Sequence, residues 1–241
     1  MDVKTAGRTV ELFEAFARTR TPLTLSEIAR ELRAPQSSCF NLLRALEGRG
    51  YLYSVGGNKR LYPTRKLFDL ADAIASYDPV VPRVEGLLTE LRNLSQETVI
   101  FGARQGERVI YLAVIEGLQV IRYISTSGEL KPMHCSAIGK ALLIGMPPAE
   151  RLKMIGKLDL TAVTERTLTT AAALIANLDQ AEQRGFASTE GENVADVMAV
   201  ACPISIEGVS YAIAVAGPIG RMAARTTELA GLVHAIIKRV A

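Results

Sequence analysis

The sequence has few residues that commonly bind metals or form disulfides. Its 241 residues include three cysteines, Cys39, Cys135 and Cys202, and no two of them are closely spaced. This spacing indicates neither a disulfide framework nor a zinc ribbon. The two histidines, His134 and His234, are also far apart, so a histidine-based metal site would lack partners. We therefore expect neither a metal nor a cofactor.

Long apolar segments are absent as well. No apolar run reaches the roughly 18 residues that a membrane-spanning helix requires, and the first residues lack the apolar core of a signal peptide. Hydrophobic residues make up 49% of the chain and charged residues 22%, as in many soluble globular proteins. These features predict a cytoplasmic protein of one large or two moderate domains, without membrane contact.

Positive charge is concentrated near the start of the chain. Residues 1–76 contain 12 lysines and arginines against 8 acidic residues, whereas the remainder contains 16 against 17. A small basic module that meets phosphates, joined to a near-neutral domain, would show this asymmetry. Modestly basic modules also occur in proteins that never contact DNA, so the charge asymmetry alone does not establish DNA binding.

Residues 24–52 are the most informative part of the sequence. Thr24 and Glu27 have the spacing of a capping box at the start of a short amphipathic helix. A turn is predicted at Arg33 and Ala34, and Pro35 is well placed as the first residue of the next helix. With an earlier helix of about three turns, this makes a helix-turn-helix unit, which commonly places one helix in the major groove of DNA.

The outward face of the third predicted helix carries short or amide-bearing side chains. Short side chains let the backbone approach the base edges, and Gln36 and Asn41 offer paired donors and acceptors. Leucines face inward, with Cys39 beside them. The predicted DNA contacts of the helices are Ser26, Gln36, Ser37, Ser38, Asn41 and Arg44.

A β-hairpin wing is predicted directly after this helix. Residues 51–53 begin a strand, residues 56–58 turn it, and residues 61–62 return. Lys59 and Arg60 lie near its tip, where they would contact the phosphate backbone without reading sequence. The order of capped helix, polar-faced helix and basic hairpin favours DNA binding over the alternative, a helical unit that serves only protein contacts.

The predicted domain organisation has three parts. Residues 1–63 form a winged helix-turn-helix domain, and residues 64–78 form a linker helix whose apolar face needs a partner, which could be a neighbouring subunit. Residues 79–241 are predicted to form a second, larger domain.

The third part alternates between strand and helix patterns. Hairpins are predicted around residues 104–107 and 207–208, a further strand at residues 120–125, and a helix rich in small residues at 136–146. Another helix should end at Gly185. Such a mixture predicts a mixed α/β (α+β) domain with one mostly antiparallel sheet.

The segment around residue 134 suggests a binding pocket rather than a catalytic site. His134, Cys135 and Ser136 could be interpreted as a base beside nucleophiles, but adjacent residues rarely face each other, and no Gly-x-Ser-x-Gly elbow is present. The segment leads into a helix whose first N–H groups can hold a carboxylate. Small residues there, Ala137 and Gly139, would let a ligand approach the backbone closely.

The order of these motifs resembles the IclR family of bacterial transcription regulators. The resemblance covers essentially the full length and is carried by LTLSEIARELRAPQSSCFNLLRALEGRGYL, PMHCSAIGKALL, RGFASTEGENVADVMAVACPI and AIAVAGP. It implies a winged helix-turn-helix module, a linker helix and, over residues 79–241, an effector-binding and oligomerisation domain related to GAF and profilin-like folds. It also implies dimers, often paired into tetramers, that control genes for the catabolism of small organic acids, frequently aromatic ones.

The family's DNA-binding positions carry over with exceptions. By position, its recognition helix and wing match Gln36, Ser37, Ser38, Asn41, Arg44, Lys59 and Arg60. Gln36 stands where lysine is common, Phe40 where histidine or tyrosine is frequent, and Asn41 where arginine is frequent. The resemblance therefore does not transfer an operator sequence.

The resemblance also implies an effector pocket between the start of the 136–146 helix and the last strands of the sheet. Its positions match Ser136, Ala137, Ile138, Glu192, Cys202, Ala214 and Ala216. For Cys202, simple core packing is an equally good interpretation. Ala214 and Ala216 replace serines of some relatives, and Asp196 replaces a usual glycine, so we expect a pocket with fewer hydroxyl groups, for a larger or aromatic acid.

The sequence thus predicts a ligand-responsive, DNA-binding transcriptional regulator. It would repress catabolic genes, sense a small organic acid, and bind operator DNA as a homodimer or a tetramer. Two alternatives are an enzyme that acts on a small organic acid, with the helical module as an appendage, and a DNA-binding oligomer that senses nothing.

Overall fold

The structure, a computed structural model, describes residues 3–56 and 59–240. Contacts divide the chain into two compact units, Met1–Asp78 and Pro79–Ala241. Across the described ranges, no helix combines the length and apolar character needed to cross a membrane.

The first unit is mainly helical, with a small antiparallel sheet in the order β1-β3-β2. Its described elements are α1 (Lys4–Thr19), β1 (Leu23–Thr24), α2 (Leu25–Glu31), α3 (Gln36–Gly48), β2 (Leu52–Val55), β3 (Arg60–Pro63) and α4 (Lys66–Ser76).

The capping box at the start of α2 is confirmed. The Thr24 hydroxyl accepts a hydrogen bond from the Glu27 N–H at 3.3 Å, and the Glu27 carboxylate accepts one from the Thr24 N–H at 2.8 Å. Arg33 adopts a left-handed φ of 46°, which makes the predicted turn between α2 and α3. Pro35 is the N-cap of α3 rather than its first residue, because its ψ of 139° is extended. This corrects the predicted helix start by one residue.

The hairpin wing is formed by β2 and β3, with Tyr53 opposite Tyr62. Two residues of its predicted turn, Gly57 and Asn58, lie outside the described residues. The sequence did not predict β1, which pairs with β3 and places Leu23 opposite Leu61. Both of these leucines are buried in the apolar core that the first three helices enclose.

α4 differs from the other helices of this unit because it contributes nothing to the core. None of its described side chains is buried, and Phe68, Leu70 and Ile74 are exposed large apolar residues within it. In the single chain, the apolar side of α4 therefore faces solvent.

The second unit is built on one large sheet. Its described elements are α5 (Val81–Ser95), β4 (Thr98–Gln105), β5 (Arg108–Ile115), β6 (Leu130–Pro132), α6 (Ala137–Ile144), α7 (Pro148–Ile155), α8 (Ala171–Arg184), β7 (Ala187–Glu190), β8 (Val197–Ile206), β9 (Val209–Pro218), α9 (Ile219–Met222), a turn of 3-10 helix (Ala223–Arg225) and α10 (Thr226–Ile237).

Helices cover both faces of this sheet, whose strand order is β6-β5-β4-β9-β8-β7. Each described pairing is antiparallel, which confirms the predicted sheet type. Successive side chains of a strand point to opposite faces, so Ile213 and Val215 pack with α5 and α10. Ala212, Ala214 and Ala216 pack with α6 and α8 on the other face, where small residues admit α6 closely.

The predicted hairpins of the second unit are confirmed. β4 and β5 turn at Gly106, with φ 64°, and β8 and β9 turn at Glu207 and Gly208, with φ 51° and 79°. α8 ends at Gly185, which has φ 81°. Gly106, Gly185 and Gly208 adopt these left-handed values without steric cost because glycine has no Cβ atom.

The strand predicted at residues 120–125 is wrong. Its residues pair with no described strand, and Val120 and Ile121 are 93% and 73% exposed. Arg122 instead donates hydrogen bonds to the Glu116 carboxylate and to the Gln119 carbonyl, which fold the segment back on itself. α6 is also shorter than predicted, because Ser136 caps it and it ends at Ile144.

All three cysteines are free thiols and buried. Burial raises the pKa of each of them, that of Cys135 to about 11 and that of Cys202 to about 12. The thiols therefore stay protonated near neutral pH.

Candidate DNA-binding face and ligand cavity

The outward face of α3 carries most of the side chains that the sequence selected. Gln36, Ser37, Asn41 and Arg44 are exposed, whereas Cys39, Leu43 and Leu46 reach the core. Gln36 donates a hydrogen bond to the hydroxyl of Ser26 on α2, 3.3 Å away.

Ser38 has a different environment from the rest of this face. Its side chain is half-buried, and its hydroxyl accepts a hydrogen bond from the guanidinium of Arg8 at 2.9 Å. Ser38 thereby ties α1 to α3, a contact that the sequence pattern does not reveal because the two residues are 30 positions apart.

The two basic residues of the wing, Lys59 and Arg60, also have different environments. Lys59 is exposed, with a left-handed φ of 53°. Arg60 donates to both oxygens of the Glu27 carboxylate at 3.2 Å and to the Pro22 carbonyl at 2.8 Å, so it joins the wing to α2. Hydrogen bonds from Thr24, followed by the charge of Arg60, lower the pKa of Glu27. Arg60 therefore has an internal structural role that the sequence did not predict.

In the second unit, a small cavity lies between the start of α6 and strands β4, β8 and β9. Its volume is about 30 Å³, room for about two water molecules. The lining is formed by Ile100, Tyr111, Tyr123, Ser136, Ala137, Ile138, Thr189, Asn193, Val194, Val197, Ala199, Ala214 and Ala216.

Five of the seven residues selected for the effector pocket line this cavity. They are Ser136, Ala137, Ile138, Ala214 and Ala216. Cys202 does not, because it pairs with Ile213 on the sheet face that packs against α5 and α10. Its neighbour Ala201 is the residue that faces α6. The placement of Cys202 in the pocket is thus corrected to core packing.

Glu192 is also outside the cavity lining. Its carboxylate accepts a hydrogen bond from Lys140 of α6 at 2.7 Å, and both side chains are almost completely buried. This corrects the prediction that Glu192 faces the pocket. Within the described chain, the second carboxylate oxygen of Glu192 has no hydrogen-bond partner. Burial raises the pKa of Glu192, and the charge of Lys140 opposes the rise.

The loop that follows Glu190 makes hydrogen bonds to α6 on one side and to residues 164–167 on the other. Lys140 holds Glu192 from α6, and the hydroxyls of Thr167 and Thr164 donate to the Glu192 and Gly191 carbonyls at 2.7 and 2.6 Å. The next residues of the loop, Asn193 and Val194, reach the cavity.

The start of α6 is packed tightly against the preceding chain. The Ser136 hydroxyl donates to the Pro132 carbonyl at 2.8 Å and accepts from the Gly139 N–H at 3.2 Å. A Cβ atom on Gly139 would lie 2.2 Å from the Met133 carbonyl oxygen, so only glycine fits there. The N–H groups of Ala137 and Ile138 have no acceptor within the helix, because it begins at this point.

Two tyrosines, which the sequence did not select, supply further polar groups to the cavity. Tyr111 comes from β5 and Tyr123 from the loop after it. Burial raises the pKa of Tyr111, so its hydroxyl remains protonated and able to donate a hydrogen bond. Tyr123, Val194 and Val197 also line an adjoining cleft of about 480 Å³, which includes Arg122 and Lys131.

The residues considered for catalysis do not form a base–nucleophile pair. The His134 ring donates to the Thr161 carbonyl at 3.2 Å, and burial lowers its pKa. Cys135 is a buried thiol with a raised pKa, and Ser136 is engaged with Pro132. His134 and Ser136 are engaged with separate backbone partners, and no hydrogen bond found among the described residues joins either of them to Cys135.

A winged helix-turn-helix unit followed by a mixed α/β unit with a small cavity is the architecture of a DNA-binding regulator. The profile of the bacterial transcriptional regulator IclR C-terminal domain matches residues 73–241, and that of the IclR helix-turn-helix domain matches residues 5–56. The chain belongs to the IclR family of bacterial transcription regulators. The family consists of regulators rather than enzymes, which excludes the enzymatic alternative.

Similar proteins span the whole chain. The HTH-type transcriptional regulator Rv1719 of Mycobacterium tuberculosis is 30% identical over 243 residues, which cover 99% of this chain and 91% of the relative. The crystal structure of Thermotoga maritima IclR matches with a TM-score of 0.82 at 21% identity, covering 99% of this chain and 98% of that one. An IclR homologue of Microbacterium hydrocarbonoxydans, crystallised with 4-hydroxybenzoate, matches with a TM-score of 0.73 at 22% identity, covering 98% of both chains.

Proposed function

We propose that this regulator represses catabolic genes and is controlled by a small organic acid that binds in the cavity at the start of α6. The supporting observation is the convergence of donors there. Ala137 and Ile138, whose N–H groups have no acceptor within α6, line the same cavity as Tyr111, Tyr123 and Asn193. Helix N-termini favour anions because unpaired N–H groups and the helix dipole act together.

The size of the cavity defines how such a ligand would enter. At about 30 Å³ it is much smaller than the roughly 150 Å³ cavity that accommodates benzene. An acid would therefore displace Asn193 and Val194, which reach the cavity from the loop beside the outer cleft. The bound and unbound loop arrangements are two states, and the acid can shift them only by its differential affinity. The complex of the Microbacterium homologue supports an aromatic acid as one candidate.

On the DNA side, the proposal uses the three predicted parts of the chain. Residues 64–78 would pair two copies, and each domain of residues 1–63 would place α3 in the major groove of one half-site, with half-sites about one helical turn apart or a multiple of it. Lys59 would contact phosphate, and Arg60 would hold the wing in place. The proposed contacts of the helices are Ser26, Gln36, Ser37, Ser38, Asn41 and Arg44.

A thermal-shift panel tests the ligand proposal. The panel contains short aliphatic acids and aromatic acids, 4-hydroxybenzoate among them. A ligand of the native state raises the melting temperature, and Tyr123→Phe and Asn193→Ala should reduce that rise, because both side chains line the cavity. Tyr53→Phe, on the wing, is the matched control. A panel without any shift would favour the oligomer that senses nothing.

The recognition face is tested by a double substitution, Asn41→Ala with Arg44→Ala. Affinity for a selected operator, measured at fixed salt, should fall strongly, since each bidentate base contact contributes roughly 1–3 kcal/mol of discrimination. The matched control is Arg92→Ala with Asn93→Ala on α5, which should bind normally. Unchanged specific binding by the first variant would refute the assignment of α3.

A further inference from the structure

Phe40 is a large apolar side chain in the middle of the polar face of α3. It is 51% exposed, and its neighbours one turn away, Gln36 and Arg44, are polar. Among the described residues, the apolar core of this unit is complete without Phe40, because Cys39 and Leu43 supply the inward contacts of this part of α3. Folding of the unit therefore does not explain an aromatic ring at this position.

The ring has a defined place on the recognition face. The guanidinium carbon of Arg44 lies 6.0 Å from the ring centroid, within the range of a cation–π contact. Phe40, Arg44 and Lys59 also line one cleft of about 310 Å³ between α3 and the hairpin wing. A duplex that contacts Arg44 and Lys59 would therefore meet the ring as well.

The chemistry of the major groove limits what such a ring can recognise. Base edges there present hydrogen-bond donors and acceptors, and the C5-methyl group of thymine is their one apolar feature. A phenyl ring offers no hydrogen bond, so a polar edge packed against it would lose its partners in water without replacement. We propose that Phe40 determines specificity by packing against a thymine methyl group in each half-site, which rests on the proposed role of α3.

The spacing of Phe40 and Arg44 locates this thymine. Residues four apart on a helix are separated by roughly 6 Å along its axis, and successive base pairs by about 3.4 Å. The thymine should thus lie within about two base-pair steps of the base that Arg44 contacts.

The test uses an operator that the full-length protein selects from a random duplex library. Each thymine of that operator is replaced in turn by deoxyuridine, which removes only the methyl group. At one thymine per half-site, the wild-type protein should bind about fourfold more weakly for each methyl group removed, the effect of one buried methylene-sized group. Phe40→Ala should bind the thymine and deoxyuridine operators equally, and Phe40→Leu should show an intermediate penalty.

The controls separate this proposal from the role of α3. Val10→Ala truncates another exposed apolar residue of the same unit, 59% exposed, and should keep the full deoxyuridine penalty. Equal binding of every deoxyuridine operator by the wild-type protein would overturn the role of Phe40 alone, as would an undiminished penalty in Phe40→Ala and Phe40→Leu. A library from which no sequence is enriched would instead overturn DNA recognition by α3, and Phe40 with it.

Discussion

Lys140 and Glu192 form an ion pair to which water has almost no access. Their side chains are 0% and 9% exposed, and the Nζ–Oε1 distance is 2.7 Å. Removing two charges from water is costly, and their attraction offsets that cost only while both partners are present. The pair is therefore sensitive to loss of one member.

We predict that Lys140→Met lowers the free energy of unfolding by about 3–5 kcal/mol, because it leaves Glu192 buried without a counter-charge. The double variant Lys140→Met with Glu192→Leu should recover most of this loss. Urea denaturation followed by circular dichroism measures the free energy of unfolding of the single and the double variant. Lys157→Met, at an exposed position, is the control, and equal stability of the two single lysine variants would contradict the argument.

His134 gives a prediction for pH dependence. Burial lowers its pKa below the ordinary value of 6.5, so the folded state binds a proton less readily than the unfolded state. The stabilisation by neutral His134 is complete above pH 6.5 and is lost as pH falls through the lowered pKa. Glu192, whose pKa is raised, acts in the opposite direction. The free energy of unfolding should therefore fall less in His134→Gln than in wild type between about pH 7.5 and about pH 5.5, as urea titrations can measure.

At the residue scale, the sequence predicted a helix rich in small residues that begins near Ser136, but it did not predict which strand side chains face that helix. Ala137 and Ile138 lie within the predicted helix, and Ser136 is its N-cap rather than its first residue. Ala201 and Cys202 face opposite sides of the sheet, and only the pairing of Ala201 with Ala214 determines which of them faces α6. Tyr123 reaches the cavity from an irregular loop, which has no periodicity to indicate its direction.

At the element scale, the wing combines one residue available to DNA with one that supports the fold. Lys59→Ala should lower the slope of log affinity against log salt by about 0.9 for each phosphate that the lysine no longer neutralises, with unchanged melting. Arg60→Ala should also lower the melting temperature, because it removes the hydrogen bonds to Glu27 and Pro22. Anisotropy titrations over a salt series measure the slope for each variant, and thermal melts measure its stability. Equal melting temperatures for the Lys59→Ala and Arg60→Ala variants would contradict the separate roles of these two residues.

Elements with local signals were predictable, and elements that depend on distant partners were not. Three predicted features depend only on residues close together in sequence. They are the capping box, the left-handed Gly185, and the hairpin at Glu207 and Gly208. β1 is only two residues long and exists because β3 lies beside it. Residues 120–125 include Val120, Ile121 and Ile124, which have strand propensity, but Arg122 turns the segment back through local hydrogen bonds.

At the scale of the whole molecule, the exposed apolar side of α4 is the surface through which we propose that two copies pair. We predict that Ile74→Asp, at a position that is 66% exposed, converts a dimer into monomers in sedimentation velocity and weakens operator binding, because a monomer engages one half-site. Ser76→Asp lies two residues further, on the opposite side of the helix, and should leave the dimer intact. An unchanged sedimentation coefficient for Ile74→Asp would exclude α4 from the interface.

The burial of Cys39, Cys135 and Cys202 has a practical consequence for following this regulator at work. Maleimide dyes react with accessible thiolates, and these three thiols are both enclosed and protonated. The natural chain should therefore take up almost no dye while it is folded. A single introduced cysteine, such as Val120→Cys at a position that is 93% exposed, would then be the only labelled site. Fluorescence could report the response to an acid without first removing any of the three native cysteines.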